Sequence, residues 1–360
     1  MSSTVHVVGA GLIGTSIGLA LTQAGTRVTL SDPSPTAAAL AADLGAGTVD
    51  DPARPDVVVV AAPPDVTSGV VLSALQRWPN AIVTDVASVK SVVLAQLTSR
   101  ATGAQLRRYV GSHPMAGRER SGAVAAQADL FKGRTWVICA HQTSDVGAAQ
   151  RIGDLAASTG AAVVSMGAAE HDRAVAYVSH LPQIAASLVA ARLRDLPEEA
   201  VALSGQGIRD VTRIAASDPL LWTQILSGNA DTLARVLQEV AADLSAVAGA
   251  LASIAAQDGN GARGVLARAI SDGQLGHARI PGKHGAAPTA YATIVVLVPD
   301  TPGALGRLFQ DVGDAGVNLE DLQLEHGVGA PLGIAELSVL PSAVDRLISQ
   351  LAAKGWKVHE

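Results

Sequence analysis

The stretch Val5-His6-Val7-Val8-Gly9-Ala10-Gly11-Leu12-Ile13-Gly14 decides the fold. A short β-branched run enters G-x-G-x-x-G, and Ser16 to Leu21 continue with helical composition. Gly9 permits a tight turn, Gly11 lets the backbone approach a pyrophosphate, and Gly14 lets helix and strand pack closely, with Leu12 and Ile13 in the same turn. Phosphates are expected at the positive helix N-terminus. A second strand, Val28-Thr29-Leu30, ends at Ser31-Asp32. An acidic residue there bonds ribose hydroxyls and repels a 2′-phosphate, and no Arg lies between Asp32 and Leu44 to receive one. The expected cofactor is NAD, held by Gly9, Gly11, Leu12, Ile13, Gly14 and Asp32.

Outward from this turn, strand signals recur near 57–61, 81–85, 109–111, 135–140 and 161–165, separated by helical stretches. That rhythm predicts an α/β Rossmann-like doubly wound domain over residues 1–168. Continuous apolar runs such as Val57-Val58-Val59-Val60 suit strands covered on both faces. Ala62 and Pro63, directly after the strand signal at 57–61, are expected either to cover the cofactor from the carboxyl edge of the sheet or to be a plain turn. From 169 to 285 the chain is Ala/Leu-rich at helical spacing, with helices near 171–193, 200–216, 220–227 and 230–257. That predicts an all-α domain whose apolar helices form a dimer interface or simply a core. Residues 276–289 have turn composition. Over 290–360 a β-α-β-β-α-β rhythm predicts a third, ferredoxin-like domain.

Composition removes several function classes. Of the residues, 48% are hydrophobic and 16% charged, enough for buried cores and unlike a disordered chain. Trp 4, Tyr 3 and Phe 2 leave little aromatic surface for base stacking. The net charge of −6 disfavours nucleic acid and anionic membranes. Cys139 is the single cysteine, so no intrachain disulfide and no cysteine-based metal cluster is expected, and no metal is assigned. The N-terminal residues lack a basic stretch followed by an apolar run, and the longest apolar runs are strand-length. A soluble, cytoplasmic protein is expected.

Three segments carry polar residues that packing does not require: Thr84-Asp85-Val86-Ala87-Ser88-Val89-Lys90; Gly111-Ser112-His113-Pro114-Met115-Ala116-Gly117-Arg118-Glu119; and His171-Asp172 through Val178-Ser179-His180-Leu181-Pro182-Gln183, followed by Arg209 and Arg213. With G-S-H-P-M-A-G and V-S-H-L-P, the chain resembles the prephenate/arogenate dehydrogenase family of tyrosine biosynthesis over residues 4–285. Its last seventy residues resemble an ACT domain through Val298-Pro299-Asp300-Thr301-Pro302-Gly303-Ala304-Leu305 and Gly316-Val317-Asn318.

The resemblance implies an NAD-dependent oxidative decarboxylation. His113 would accept the proton of the ring hydroxyl, and Ser88 would lie between nicotinamide and substrate. Arg213 would clamp a substrate carboxylate, a task suited to a two-pronged donor. His180 would be a substrate-side histidine, and Gln183 stands where many members have a second histidine facing the substrate side chain. Prephenate and arogenate both remain open as substrate. The resemblance further implies an aromatic amino acid effector, with Asp300, Gly303 and Asn318 as candidate contacts, and a homodimer.

Other residues stay ambiguous. Lys90 is either a ligand-attracting cation or a solvated first-turn lysine, and Arg209 is expected in a surface salt bridge. His171 and His180 are nine residues apart, about half a turn out of phase in a straight helix, and Pro182 interrupts the helix. Glu119 is a candidate partner of the site. The basic loop 279–284 is either an active-site cover or a hinge. A β-hydroxyacid dehydrogenase would rely on a helical lysine, and none occurs between Gly133 and Gly282. A non-catalytic sensor of NAD or amino acids would leave His113, Ser88 and Arg213 unexplained.

Overall fold

The protein is described from a computed structural model covering residues 4–117, 122–257, 259–281, 291–326 and 332–359. Glu119 and residues 282–284 of the basic loop therefore lie outside the described residues. The chain forms two compact units, 1–242 and 243–360.

The first unit is built on a sheet of eight strands: β1 (Thr4–Val8), β2 (Arg27–Ser31), β3 (Thr48–Val49), β4 (Val57–Val60), β5 (Ile82–Asp85), β6 (Tyr109–Pro114), β7 (Thr135–Cys139) and β8 (Ala162–Ser165). Their order is β3-β2-β1-β4-β5-β6-β7-β8, and every neighbouring pair is parallel except β6 with β7. The chain leaves β1 towards β2 on one side and returns to β4 on the other, so the crevice beyond β1 is a topological switch point. Val57 to Val60 are all buried, as strands covered on both faces require. Helices α1 (Leu12–Gln23), α2 (Pro35–Asp43), α3 (Pro64–Arg77), α4 (Ser91–Thr98), α5 (Gly103–Arg107) and α6 (Val146–Ser158) accompany the strands. Ile17 and Leu21 of α1 and Ile152 of α6 pack into one core cluster, and Val71 and Leu75 of α3 into another.

Two expectations need correcting here. β6 does not end at Gly111 but runs through His113 to Pro114, because the antiparallel partner β7 pairs His113 with Val137 and Pro114 with Trp136. Strand β3 had no signal, since two residues cannot display an alternation.

After β8 the chain is helical, as expected: α7 (Ala168–Val175), a π turn over Ala176–His180, α8 (Leu181–Leu193), α9 (Glu198–Val201), α10 (Gln206–Thr212), a 3₁₀ turn Arg213–Ala216, α11 (Pro219–Gly228) and α12 (Ala230–Ala255). The helix expected over 200–216 is three short pieces, broken at Gly205 and again at Arg213. The segments 168–193 and 230–255 are long and apolar enough, on length and composition, to cross a membrane. The second carries Asp231, Arg235, Glu239 and Asp243 at four-residue intervals, a charged stripe that hydrocarbon would penalise. It reads as an amphipathic surface helix.

The second unit holds helix α13 (Ala262–His277), where loop had been expected beyond 275, and a four-stranded antiparallel sheet. That sheet orders β10 (Asp321–His326), β11 (Leu332–Val339), β9 (Ala292–Pro299) and β12 (Lys357–His359). With α14 (Ala304–Asp314) and α15 (Val344–Ala353) it forms the expected βαββαβ, ACT-like arrangement. Ile294, Val296 and Val298 face Leu308, Val312, Leu347 and Leu351 in its core. Gly303 begins α14 at φ +87°, Asp300 is exposed in the loop before it, and Asn318 Nδ2 donates to Glu320 Oε1 at 2.8 Å.

Candidate active site

The glycine turn is dictated by contacts as well as by its motif. Gly9 has φ +108°, and a Cβ there would stand 2.3 Å from the Ala61 carbonyl oxygen. A Cβ on Gly14 would stand 1.9 Å from the Gly9 carbonyl oxygen. A Cβ on Gly11 would meet nothing within 4 Å. Protein packing thus forces two of the three glycines, while the third borders open space at the start of α1. Gly11 is also the N-cap of α1 and provides no side-chain cap, which leaves first-turn N–H groups for an anion. Leu12 and Ile13, both half-buried, pack against the core of the same domain.

Asp32 closes the rim. Its Oδ2 accepts from the Ala10 N–H at 2.7 Å and its Oδ1 from the Ser34 N–H at 2.8 Å. A carboxylate has about four acceptor positions, so about two remain for ribose hydroxyls. The turn at Ala62 and Pro63 is fastened from α3, where Thr67 Oγ1 donates towards the Ala62 and Pro63 carbonyls at 3.1 and 2.9 Å. These residues fit a dinucleotide.

Further along the carboxyl edge lies a polar knot inside an apolar sheet. Asp85 ends β5 fully buried, accepting from Tyr109 Oη at 2.6 Å and from the Ala87 N–H at 3.0 Å. Lys90, also buried, forms an ion pair with Asp85, and its Nζ donates to the Ser112 carbonyl at 2.7 Å. Lys90 is therefore neither a solvated lysine nor a free cation for ligands. Burial, then the Asp85 charge, pushes the Tyr109 phenol well above its ordinary range. Ser112 Oγ accepts from Thr84 Oγ1 at 3.0 Å and donates to the Asp85 carbonyl at 2.9 Å. Strand β6 is thereby fixed up to His113. Ser88 is half-buried on the loop between Asp85 and Lys90.

His113 meets the helical segment directly. Its Nδ1 lies 2.8 Å from His171 Nε2, with the rings edge-on and their centroids 5.1 Å apart. His171 Nδ1 lies 2.8 Å from Asp172 Oδ1. Asp172 also accepts from the Lys90 N–H at 2.9 Å and the Ser91 N–H at 2.8 Å. Burial opposes its charge, but the bonds from His171, Ser91 and Lys90 prevail and hold the carboxyl below its ordinary range. His113 is pushed well below the ordinary imidazole value, first by burial and then by the charges of His171, Lys90 and His180, against the opposing pull of Asp172.

His180 belongs to the same cluster. Its Nδ1 lies 3.3 Å from Asn229 Nδ2, which donates to the Asp172 carbonyl at 2.7 Å, and Trp222 stands edge-on to its ring. Burial lowers His180 to about 4. Phase in a straight helix would have separated His171 from His180. Pro182 has no N–H for the Val178 carbonyl, and the helix widens before it: the Leu181 N–H reaches back to the Ala176 carbonyl. One extra residue in that turn removes about 100° of the offset, bringing the two histidines towards one side.

Gln183 and Arg213 lie at the next turn. Gln183 is buried, its Nε2 donating to the Ile214 carbonyl at 3.0 Å and its Oε1 accepting from Ser217 Oγ at 3.3 Å. Its amide is thus committed to the 3₁₀ turn that starts at Arg213, whose side chain is exposed. Asp85 and Asp172 hold this site together in roles that the sequence alone does not assign. The available signal was an acid at the end of an apolar strand and another beside a histidine, in a chain with only 16% charged residues.

Comparison with known proteins points to one family. Residues 17–165 match the prephenate dehydrogenase nucleotide-binding domain, and residues 167–263 match the prephenate dehydrogenase dimerization domain. A probable prephenate dehydrogenase of Streptomyces niveus is 37% identical over 99% of each chain. The prephenate dehydrogenase of Bacillus subtilis is 30% identical over 86% of this chain and 84% of its own. Among solved structures, a putative prephenate dehydrogenase of Corynebacterium glutamicum is 32% identical with TM-score 0.65, over 70% of this chain and 83% of that one.

Proposed function

The chain belongs to the prephenate dehydrogenase family, and from that premise we propose that it oxidatively decarboxylates prephenate with NAD, forming 4-hydroxyphenylpyruvate for tyrosine biosynthesis. The observation that carries the reading is His113, held neutral at the carboxyl edge of the sheet, with its Nδ1 occupied by His171. Its Nε2 is thereby the nitrogen left for a substrate.

NAD, when bound, supplies the hydride acceptor. The protein's own part is to hold the substrate and manage one proton. His113 Nε2 accepts the proton of the ring hydroxyl as hydride leaves the carbinol carbon. The bond from ring to carboxylate then breaks, carbon dioxide departs, and the freed pair makes the ring aromatic. The proton returns from His113 to the phenol oxygen, so none is released overall. Ser88, on the loop between Asp85 and Lys90, is assigned to orient the ring hydroxyl. His180 accepts from Asn229 at Nδ1, so its own proton sits on Nε2 as a donor to the substrate. Arg213, one residue before the Gln183-bound carbonyl, clamps a carboxylate.

Arg213→Ala is expected to raise the substrate KM by ~10–100-fold, the worth of one or two hydrogen bonds to a charged group, with a smaller change in kcat. A KM within a factor of two in initial-rate assays rejects the clamp. Asp32→Ser is expected to cut the preference for NAD over NADP by at least about tenfold, or ~1.4 kcal/mol. An unchanged ratio of kcat/KM values removes Asp32 as the determinant.

The apolar side chains exposed on the helical segment, including Val178, Leu188, Leu203 and Leu220, fit burial against a second copy, and we take the protein to be a homodimer. Residues 1–168, 169–285 and 290–360 are proposed as the NAD-binding, substrate and effector domains, with Asp300, Gly303 and Asn318 near an amino acid ligand. NADH formation, followed with prephenate and with arogenate separately, tests the central reading. Turnover of prephenate is expected, and turnover of neither substrate rejects the proposal.

A further inference from the structure

We propose that Asp172 and His171 are positioning residues that set the tautomer of His113, so that its Nε2 is an obligate acceptor. This rests on the reading of His113 as the substrate's proton acceptor and extends it to groups that touch no substrate.

Asp172 is surrounded by donors: the Lys90 and Ser91 N–H groups at 2.9 and 2.8 Å, and His171 Nδ1 at 2.8 Å. An ionised carboxylate only accepts, so His171 must carry its proton on Nδ1. With a single ring proton, on Nδ1, His171 has a lone pair on Nε2. The 2.8 Å contact between His171 Nε2 and His113 Nδ1 needs one proton between the two nitrogens, and only His113 can supply it. His113 is therefore protonated at Nδ1 and bare at Nε2.

The same chain serves after the substrate proton arrives. His113 then carries a positive charge, and its Nδ1–H already points at His171 Nε2. Movement of that proton by one hydrogen bond would place the charge on His171, beside the Asp172 carboxylate. Asp172 itself stays ionised, its other bonds being to backbone N–H groups that need an acceptor. The role parallels the aspartate of a serine-protease triad, which orients its histidine and stabilises the imidazolium without taking the proton.

Asp172 has a second task that locates the first. Lys90 and Ser91 form the start of α4, where Lys90 provides no side-chain cap. One carboxylate from α7 thus caps α4, holds the end of the loop bearing Ser88, and sets the histidine pair.

The test uses the full-length enzyme with ¹⁵N-labelled histidine. Long-range ¹H–¹⁵N spectra distinguish the tautomers, and the His113 signals are assigned by their loss in His113→Asn. Wild type is expected to show His113 protonated at Nδ1. In Asp172→Asn an Nδ2 group replaces one of the two accepting oxygens, which weakens the hold on His171 Nδ1–H, so His113 should populate the Nε2–H form and kcat should fall by ~10²–10⁴-fold. Since Asp172→Asn also disturbs the α4 cap, His171 provides a second pair. His171→Gln keeps an acceptor near the Nε2 position and should recover most of the activity that His171→Leu loses. A wild-type His113 protonated at Nε2, an unshifted tautomer in Asp172→Asn, or equal turnover of the Gln and Leu variants would each overturn the inference. The expected tautomers together with a fully active His113→Asn would instead leave the relay standing and reject His113 as the acceptor.

Discussion

Replacing His113 with Asn is expected to lower kcat by ~10²–10⁴-fold, the usual worth of a positioned general base, while KM for substrate and for NAD changes far less. Asn fits a strand whose preceding residue Ser112 is already fixed by Thr84, Asp85 and Lys90. The protein should therefore fold, and its thermal midpoint should stay within a few degrees of wild type. The pH profile gives a second reading of the same residue. An ordinary histidine would titrate near 6.5, but burial and the charges of His171, Lys90 and His180 hold His113 well below that. Asp172 is the facing group that pulls the other way. A base must be unprotonated to work, so activity should persist as pH falls through 6.5 and decline only on further acidification. A variant of near-normal kcat, measured by NADH formation, removes His113 from the chemistry. An acid limb centred at 6.5 instead contradicts its buried, neutral setting.

What could be read in advance follows from the range of the interactions. The turn from Gly9 to Gly14 and the acid Asp32 are local features spaced by backbone geometry, and both appear where the motif put them. The βαββαβ rhythm of 292–359 was legible for the same reason, each strand and helix showing its own period. Strand β6 was cut short because its last residues owe their pairing to β7, more than twenty residues later. The helix Ala262–His277 was underestimated because Gly264, Gly273 and Gly276 weaken its local signal.

The candidate site was half legible. His113, His180 and Arg213 stood out as polar residues without a packing reason. The link from His113 to His171 depends on a π turn, and the sequence shows its cause, Pro182, without showing its outcome. Asp172 gains its meaning only where the α7 segment meets backbone N–H groups some eighty residues earlier. Lys90 illustrates the limit best: its spacing after a strand suits a solvated lysine, and only the closed sheet edge shows it to be buried.

That burial makes Lys90→Met the most damaging single change expected outside the chemistry. The ammonium is 1% exposed and its partner Asp85 0% exposed, so neither charge can fall back on water. Removing the cation leaves the Asp85 carboxyl group buried without its ion partner, with the Tyr109 hydroxyl and the Ala87 N–H as its remaining donors. Breaking one partner of a buried pair costs ~3–5 kcal/mol, against ~5–15 kcal/mol for the whole stability of a typical domain. At roughly 2–4 °C per kcal/mol for a unit of this size, the thermal midpoint should fall by ~6–20 °C. The double variant Lys90→Met/Asp85→Asn removes the stranded charge while keeping a hydrogen-bonding group for Tyr109. It should therefore be more stable than Lys90→Met alone, the coupling expected of two residues in one ion pair, whereas a simple loss of side-chain packing would not be recovered by a second substitution. Calorimetry of the two variants decides the matter. A Lys90→Met protein within 1 kcal/mol of wild type, or a double variant less stable than the single, means that the pair does not hold the sheet edge beneath Ser112 and His113.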